Sequence, residues 1–151
     1  MAPTLELYLH TESDWVTPEL TRHFETALSS LLPELLLAPH GPAHVLSELD
    51  CVEISIVDDE TIARVHAEFL DDPTATDVIT FPYGEIIVSC DTAARYAASH
   101  NLSPAEELFR YIVHGLTHLH GYLDATPDQR AALFDIQEPL ISHFFPSSSL
   151  S

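Results

Sequence analysis

The sequence contains no lysine. Its basic residues are five arginines set against 24 acidic residues, which leaves a formal charge of −19 with histidine neutral. A general nucleic-acid-binding surface is basic, and this chain offers almost none. If the protein handles RNA, attraction must come from a metal, from a few placed arginines, or from a partner that delivers the substrate. Solubility in a salty cytoplasm accounts for the acidity equally well. Cysteine is scarce too: Cys51 and Cys90 stand in no metal-ligand spacing, each beside an apolar, β-rich run. They read as buried, reduced thiols in a reducing compartment. No apolar run approaches the ~18 residues of a membrane span. The stretch MAPTLELYLH lacks the basic and apolar regions of an export signal, so the expected location is the cytoplasm.

What is present suits a globular fold. The chain has 151 residues, 46% hydrophobic and 19% charged, enough for one domain with a proper core. Residues 4–10 alternate as a first strand. Thr17-Pro18 opens a helix that should run to about Leu32, with Leu20, Phe24, Ala27, Leu28 and Leu31 on one face. Pro33, Pro39, Gly41 and Pro42 then predict a loop over 38–49. CVEISIV (51–57) alternates as a second strand, and Asp58 or Asp59 caps a short helix carrying Ile62, Val65, His66 and Phe69. After a turn-rich connection over 70–77, strands at 77–81 and 85–90 flank Pro82-Tyr83-Gly84 as a hairpin. Helices follow over 91–101, from Ser103-Pro104 to about 120, and from Thr126-Pro127 onward. The last should bury Ala131, Leu133, Phe134, Ile136, Leu140 and Ile141. With no repeats, the expectation is one domain over 1–146 with a frayed tail at 147–151. The fold class is α+β, a small mixed four-stranded sheet packed with helices.

The chemistry concentrates in HGLTHLHGYLD, His114 to Asp124. Helix positions i and i+4 lie on one face, so His114 and His118 can aim two imidazoles at one point. Gly121 suits the left-handed residue that closes a helix, which lets the chain fold back and bring Asp124 to the same point. Two imidazoles and a carboxylate with a fourth position open is the ligand set of a catalytic zinc site. Leu108, Ile112, Leu116 and Leu119 form an apolar stripe on this helix. Glu107, Tyr111, His114 and His118 form a second, roughly 140° away. A bare His-x-x-x-His would read as two histidines on a partly exposed face, but the glycine and carboxylate at this spacing favour metal.

In the metalloprotease helix His-Glu-x-x-His, the glutamate activates the zinc-bound water. Here that position is Gly115, so the peptidase mechanism lacks its base, although another carboxylate could stand in. A metal can still lower the pKa of bound water and polarise a phosphoryl oxygen, which leaves phosphodiester hydrolysis open. His120 sits about 160° around the helix from His118 and reads as a packing or surface residue. Thr76-Asp77 and Gly84-Glu85, taken alone, are a strand start and a tight turn.

Together HGLTHLHGYLD, ATDVITFP and YGEIIVS resemble the YbeY family of bacterial metal-dependent endoribonucleases, the rRNA maturation factors. The family pattern is HGxLHLxGYDH, with PTDVLSFP and LGDIxIS upstream. FDIQE (134–138) is similar to the family's final helix, so the likeness spans about residues 50 to 141. The resemblance implies a zincin-like fold and one zinc ion per chain on His114, His118 and Asp124, with a metal-bound water at His114 as the reactive group. At Asp124 the commoner family residue is histidine, and Leu123 replaces the preceding family aspartate. The resemblance further implies hydrolase activity on small-subunit (16S) rRNA, including its 3′ end, and a role in ribosome quality control. The implied partners are the small ribosomal subunit, a small-subunit ribosomal protein and a ribosome-associated GTPase, with neither DNA nor membrane. One departure bears on activity. A Tyr-Arg step, whose arginine is linked to RNA cleavage in the family, aligns with Phe69-Leu70, where no cation stands. Arg64 and Arg110 are the candidate substitutes for contacting phosphate. The alternatives are a metal-stabilised ribosome-binding factor that does not cut, and a metallopeptidase.

Overall fold

Alternation of apolar residues builds a sheet whose two faces are both covered. Strands β1 (Thr4–Leu9), β2 (Cys51–Val57), β3 (Val78–Phe81) and β4 (Glu85–Ser89) pair in the order β1-β2-β4-β3. β1 and β2 are parallel, as are β2 and β4, while β3 returns antiparallel to β4 as the expected hairpin. β3 is therefore an edge strand. This computed structural model describes residues 2–146, so the expected frayed tail at 147–151 lies outside the described residues.

Helices α1 (Pro18–Leu37), α2 (Asp59–Leu70), α3 (Cys90–His100), α4 (Pro104–Leu119) and α5 (Pro127–Phe144) complete the chain. Each starts on a hydroxyl or carboxylate cap: Thr17, Asp58, Ser89, Ser103 and Thr126 accept from the backbone N–H three residues on. Ile54, Ile56, Ile86 and Val88 turn to one side, into the main core with residues of α1, α3, α4 and α5. Ile79 and Ile87 turn to the other side and meet Val57 and Ile62 under α2. The result is the α+β arrangement of a mixed four-stranded sheet with helices packed on it.

Helix α4 is the centre of the main core. Besides the apolar stripe, Phe109, Val113, Gly115 and Thr117 are buried, and so are Glu107 and Tyr111 of the second stripe. Gly115 lies directly on the sheet: a Cβ there would stand 2.8 Å from Ile86 Cγ2 and 2.9 Å from its Cδ1. The missing side chain lets helix and strand approach closely.

The structure departs from the sequence expectations where packing overrides local signals. α1 does not stop near Leu32 but passes through Pro33 to Leu37. Pro33 cannot donate to the Ser29 carbonyl, yet Ser29 is exposed and water can serve it. Burial of Leu31, Leu32 and Leu35 outweighs the lost bond. The loop over 38–49 contains a short 3-10 turn, Leu46–Glu48, anchored by buried Leu46. In α5, Ala131 is exposed and Phe134 is 46% exposed, and the buried face is Leu133, Gln137 and Ile141. Cys90 is buried, but Cys51 is only half-buried.

Gly115→Ala should lower stability. Alanine gains about 1 kcal/mol in helix propensity, but overpacking against a rigid β-branched side chain costs about 1–3 kcal/mol. A urea midpoint that stays put or rises would show that α4 does not lie this close to β4.

Candidate metal centre

The end of α4 is locked before it meets the site. Gly121 N–H donates to the His118 carbonyl at 2.9 Å and Tyr122 N–H to the Thr117 carbonyl at 3.2 Å, with Gly121 at φ +102°. This is the Schellman closure, which needs a residue without a Cβ at that φ. The loop after α1 then clamps the corner. Gly41 N–H donates to the His120 carbonyl and Val45 N–H to the Leu119 carbonyl. His120 Nε2 donates to the Ala38 carbonyl, and the Tyr122 hydroxyl to that of Pro39. A Cβ on Gly41 would fall 1.9 Å from the Gly121 oxygen, so two glycine backbones are in direct contact. His120 thus ties down the turn and takes no part in the metal cluster.

From this corner three side chains converge. His114 Nε2 and His118 Nε2 are 3.0 Å apart, and Asp124 Oδ2 lies 3.4 Å from the first and 3.3 Å from the second. Asp124 itself is 48% exposed. Its loop is held from α5, where Arg130 donates to its carbonyl and the Thr126–Gln129 capping box fixes the following turn.

The tautomers follow from the neighbours. His118 Nδ1 faces the Tyr122 carbonyl at 2.7 Å, which can only accept, so Nδ1 carries the proton. His114 Nδ1 faces Gln137 Oε1 at 2.9 Å. The orientation of that amide is set by its other end, since Gln137 Nε2 donates to the Glu138 carboxylate at 2.8 Å. Arg110 in turn donates to Glu138 through Nε and Nη2, at 3.0 Å each at their closest. Burial would raise the Glu138 carboxyl pKa, but the hydrogen bonds from Arg110 and Gln137 and the Arg110 charge hold it below its ordinary value. An ionised Glu138 fixes Gln137, and Gln137 makes His114 donate from Nδ1. Both Nε2 lone pairs therefore point inward, so the short contact between the rings has no proton to share when both are neutral.

Inward-facing Nε2 atoms with Nδ1–H tied to oxygen is how metal-ligating histidines are oriented. A tetrahedral ion with bonds of about 2.0–2.2 Å spaces its ligands about 3.3–3.6 Å apart, close to the separations found here. The three residues fit a divalent first-row ion, and they form the candidate metal-holding group found among the described residues.

The cluster opens into a groove of about 730 Å³ that also takes in Leu70, Asp77, Thr80, Phe81 and Leu123. Its floor runs along β3, whose outer edge is unpaired within the sheet. Among the described residues no arginine lines it.

The structure thus brings His114, His118 and Asp124 together and leaves Arg64 and Arg110 outside. Arg110, expected as a candidate phosphate contact, is paired with Glu107 at 2.9 Å and with Glu138 and does not line the groove. Arg64 is exposed on α2 with Thr61 as its neighbour and does not line the groove. Sequence reasoning missed Gln137, which is 1% exposed. The available signal was a glutamine four residues from Leu133 and from Ile141 on a buried face, where a polar group needs a partner.

Gln137→Leu keeps the volume but leaves the His114 Nδ1–H without an acceptor. Metal affinity, read by competition with a chelating dye, should fall about 10–100-fold. An unchanged affinity would remove Gln137 from the support of the site.

A family model described as Endoribonuclease YbeY matches residues 11–144. The chain is 44% identical to the endoribonuclease YbeY of Rhodopirellula baltica, over 54% of this chain and 47% of that relative. It is 45% identical to the endoribonuclease YbeY of Protochlamydia amoebophila, over 50% and 57%. The match to the Kineococcus radiotolerans protein of the same name is 31% identical, over 67% and 66%. The matched stretch thus spans about half the length of the first two relatives. The solution structure of a Thermotoga maritima protein has the same fold, with a TM-score of 0.67 at 20% identity over 94% of this chain and 89% of that one. With the match covering most of its length, the chain belongs to the YbeY family.

Proposed function

We propose that this protein is a zinc-dependent endoribonuclease of small-subunit (16S) rRNA maturation, including 3′-end processing and ribosome quality control. His114, His118 and Asp124 are its metal ligands. The observation that carries the reading is the convergence of both Nε2 atoms and the Asp124 carboxylate within 3.4 Å of one another at the head of an open groove. Family membership supports RNA as the substrate. When bound, a divalent ion supplies a water of lowered pKa and polarises a phosphoryl oxygen. The chain's own residues hold that ion, orient both imidazoles through Gln137 and the Tyr122 carbonyl, and line the groove where RNA would lie. The family also supports the small ribosomal subunit, a small-subunit ribosomal protein and a ribosome-associated GTPase as partners, and the cytoplasm as the place of action. Among the described residues no helix is long and apolar enough to cross a membrane.

A peptidase is disfavoured by packing as well as by chemistry. The position of the missing glutamate, Gly115, is pressed against Ile86, so a side chain there has no room. A second reading, a ribosome-binding factor that does not cut, draws on Leu70. This residue lines the groove where a cation could have met the transition-state charge.

Cleavage of a small-subunit rRNA fragment by the metal-loaded protein decides between these readings. The proposal expects cleavage that stops with chelator, returns with zinc, and is lost in His114→Ala. Leu70→Arg should raise the rate by about tenfold or more through phosphate contact. Small-subunit binding without cleavage, by wild type and by Leu70→Arg alike, would favour the non-cleaving factor.

A further inference from the structure

The groove beside the metal cluster has few groups that can hold a phosphate. Among the described residues no arginine lines it, and the chain has no lysine. Two carboxylates, Asp77 and Asp124, line it instead. A phosphodiester placed at the cluster therefore needs neutral donors, and the outer edge of β3 is where they stand.

Strand pairing decides which backbone groups face the groove. Ser89 N–H donates to the Asp77 carbonyl at 3.0 Å, and the antiparallel register runs from Val78 opposite Val88 to Phe81 opposite Glu85. Hydrogen-bonded and non-bonded pairs alternate along such a ladder. Asp77, Ile79 and Phe81 thus turn their backbone groups toward β4, and Val78 and Thr80 turn theirs outward. The Val78 N–H is taken, since it donates to Asp77 Oδ1 at 2.8 Å. Pro82, next after the strand, has no N–H. The Thr80 N–H is left as the unengaged outward donor of β3, and the Thr80 hydroxyl has no partner either among the described residues.

The side chain of Thr80 stands on the metal side of the sheet. Thr80 lies opposite Ile86 in a non-bonded pair, and Ile86 and Val78 face the main core, where α4 lies. Ile86 is also the side chain against which Gly115 is pressed, and Gly115 follows His114. One packing contact thus sets Thr80 relative to the metal cluster, and Thr80, His114 and His118 line one groove. Thr80 is only half-buried, so a ligand oxygen can reach both donors.

Building on the endoribonuclease reading, we propose that Thr80 is a catalytic residue whose N–H and hydroxyl donate to a non-bridging oxygen of the scissile phosphate. Charge develops on the phosphoryl oxygens in the transition state, and fixed neutral donors aimed at them stabilise it as an oxyanion hole does. Thr80 neither gives up nor takes a proton in this role, and no bond forms to it.

The test uses the zinc-loaded full chain and the small-subunit rRNA fragment, with three variants at one position. Thr80→Val keeps the shape and the N–H and loses the hydroxyl. Thr80→Pro loses both donors, and an outward N–H on an edge strand is where a sheet tolerates proline. Thr80→Ser keeps both. The rate constant kcat should fall about tenfold or more in Thr80→Val and on the order of 100-fold in Thr80→Pro. Thr80→Ser should recover most of the loss. KM should move less than kcat, because these bonds strengthen in the transition state. Zinc content and melting midpoint should hold in Thr80→Val. Calorimetry gives a readout without turnover: inorganic phosphate should bind the zinc-loaded Thr80→Val protein more weakly than wild type. Cleavage by wild type with kcat unchanged in both Thr80→Val and Thr80→Pro would overturn the assignment while leaving the nuclease reading intact. A rate loss in Thr80→Val that follows loss of zinc or of stability would overturn it as well, since the role would then be structural. No cleavage by wild type would overturn both.

Discussion

Two imidazole lone pairs and a carboxylate oxygen held within 3.4 Å of one another repel unless a cation lies among them. The fold resists that repulsion with rigid packing. α4 is buried on nearly every side and pressed onto β4 at Gly115, so its histidines cannot move apart by shifting the helix. Its last turn is closed at Gly121 and clamped by the 38–45 loop, which fixes where the chain leaves toward Asp124. Hydrogen bonds to Gln137 and to the Tyr122 carbonyl then set the two rings. A site so supported is preorganised for an ion.

The same residues explain how the few cations are used. Arg110 is held by Glu107 and Glu138, Arg95 pairs with Asp59 between α2 and α3, and Arg130 holds the Asp124 carbonyl. These arginines act on the protein's own acidic groups and carbonyls. Among the described residues no arginine lines the groove, so in the proposed reading positive charge there is left to the ion. Arg110 still reaches the site, but through Glu138 and Gln137 to the ring of His114.

What the sequence revealed was what depends on local spacing. Helical periodicity placed His114 and His118 on one face, and turn chemistry singled out Gly121 and, beyond it, Asp124. Caps at Thr17, Asp58, Ser103 and Thr126 marked helix starts because a hydroxyl or carboxylate meets the backbone within a few residues. Contacts between distant segments were not legible. Glu138 lies on a different helix from Arg110, so the ion pair that holds Arg110 left no mark in spacing. Pro33 read as a helix end, and only the burial of Leu35 shows why the helix continues. The contact between Gly41 and Gly121 was equally hidden, since each glycine alone reads as a turn.

The most direct measurement is metal content by mass spectrometry on gently purified wild type and on Asp124→Ala. The account predicts about one zinc per chain in wild type, as for a site with three protein ligands, and loss or marked weakening in the variant. Wild type without metal, or an Asp124→Ala protein that retains a full complement, would contradict the three-ligand centre.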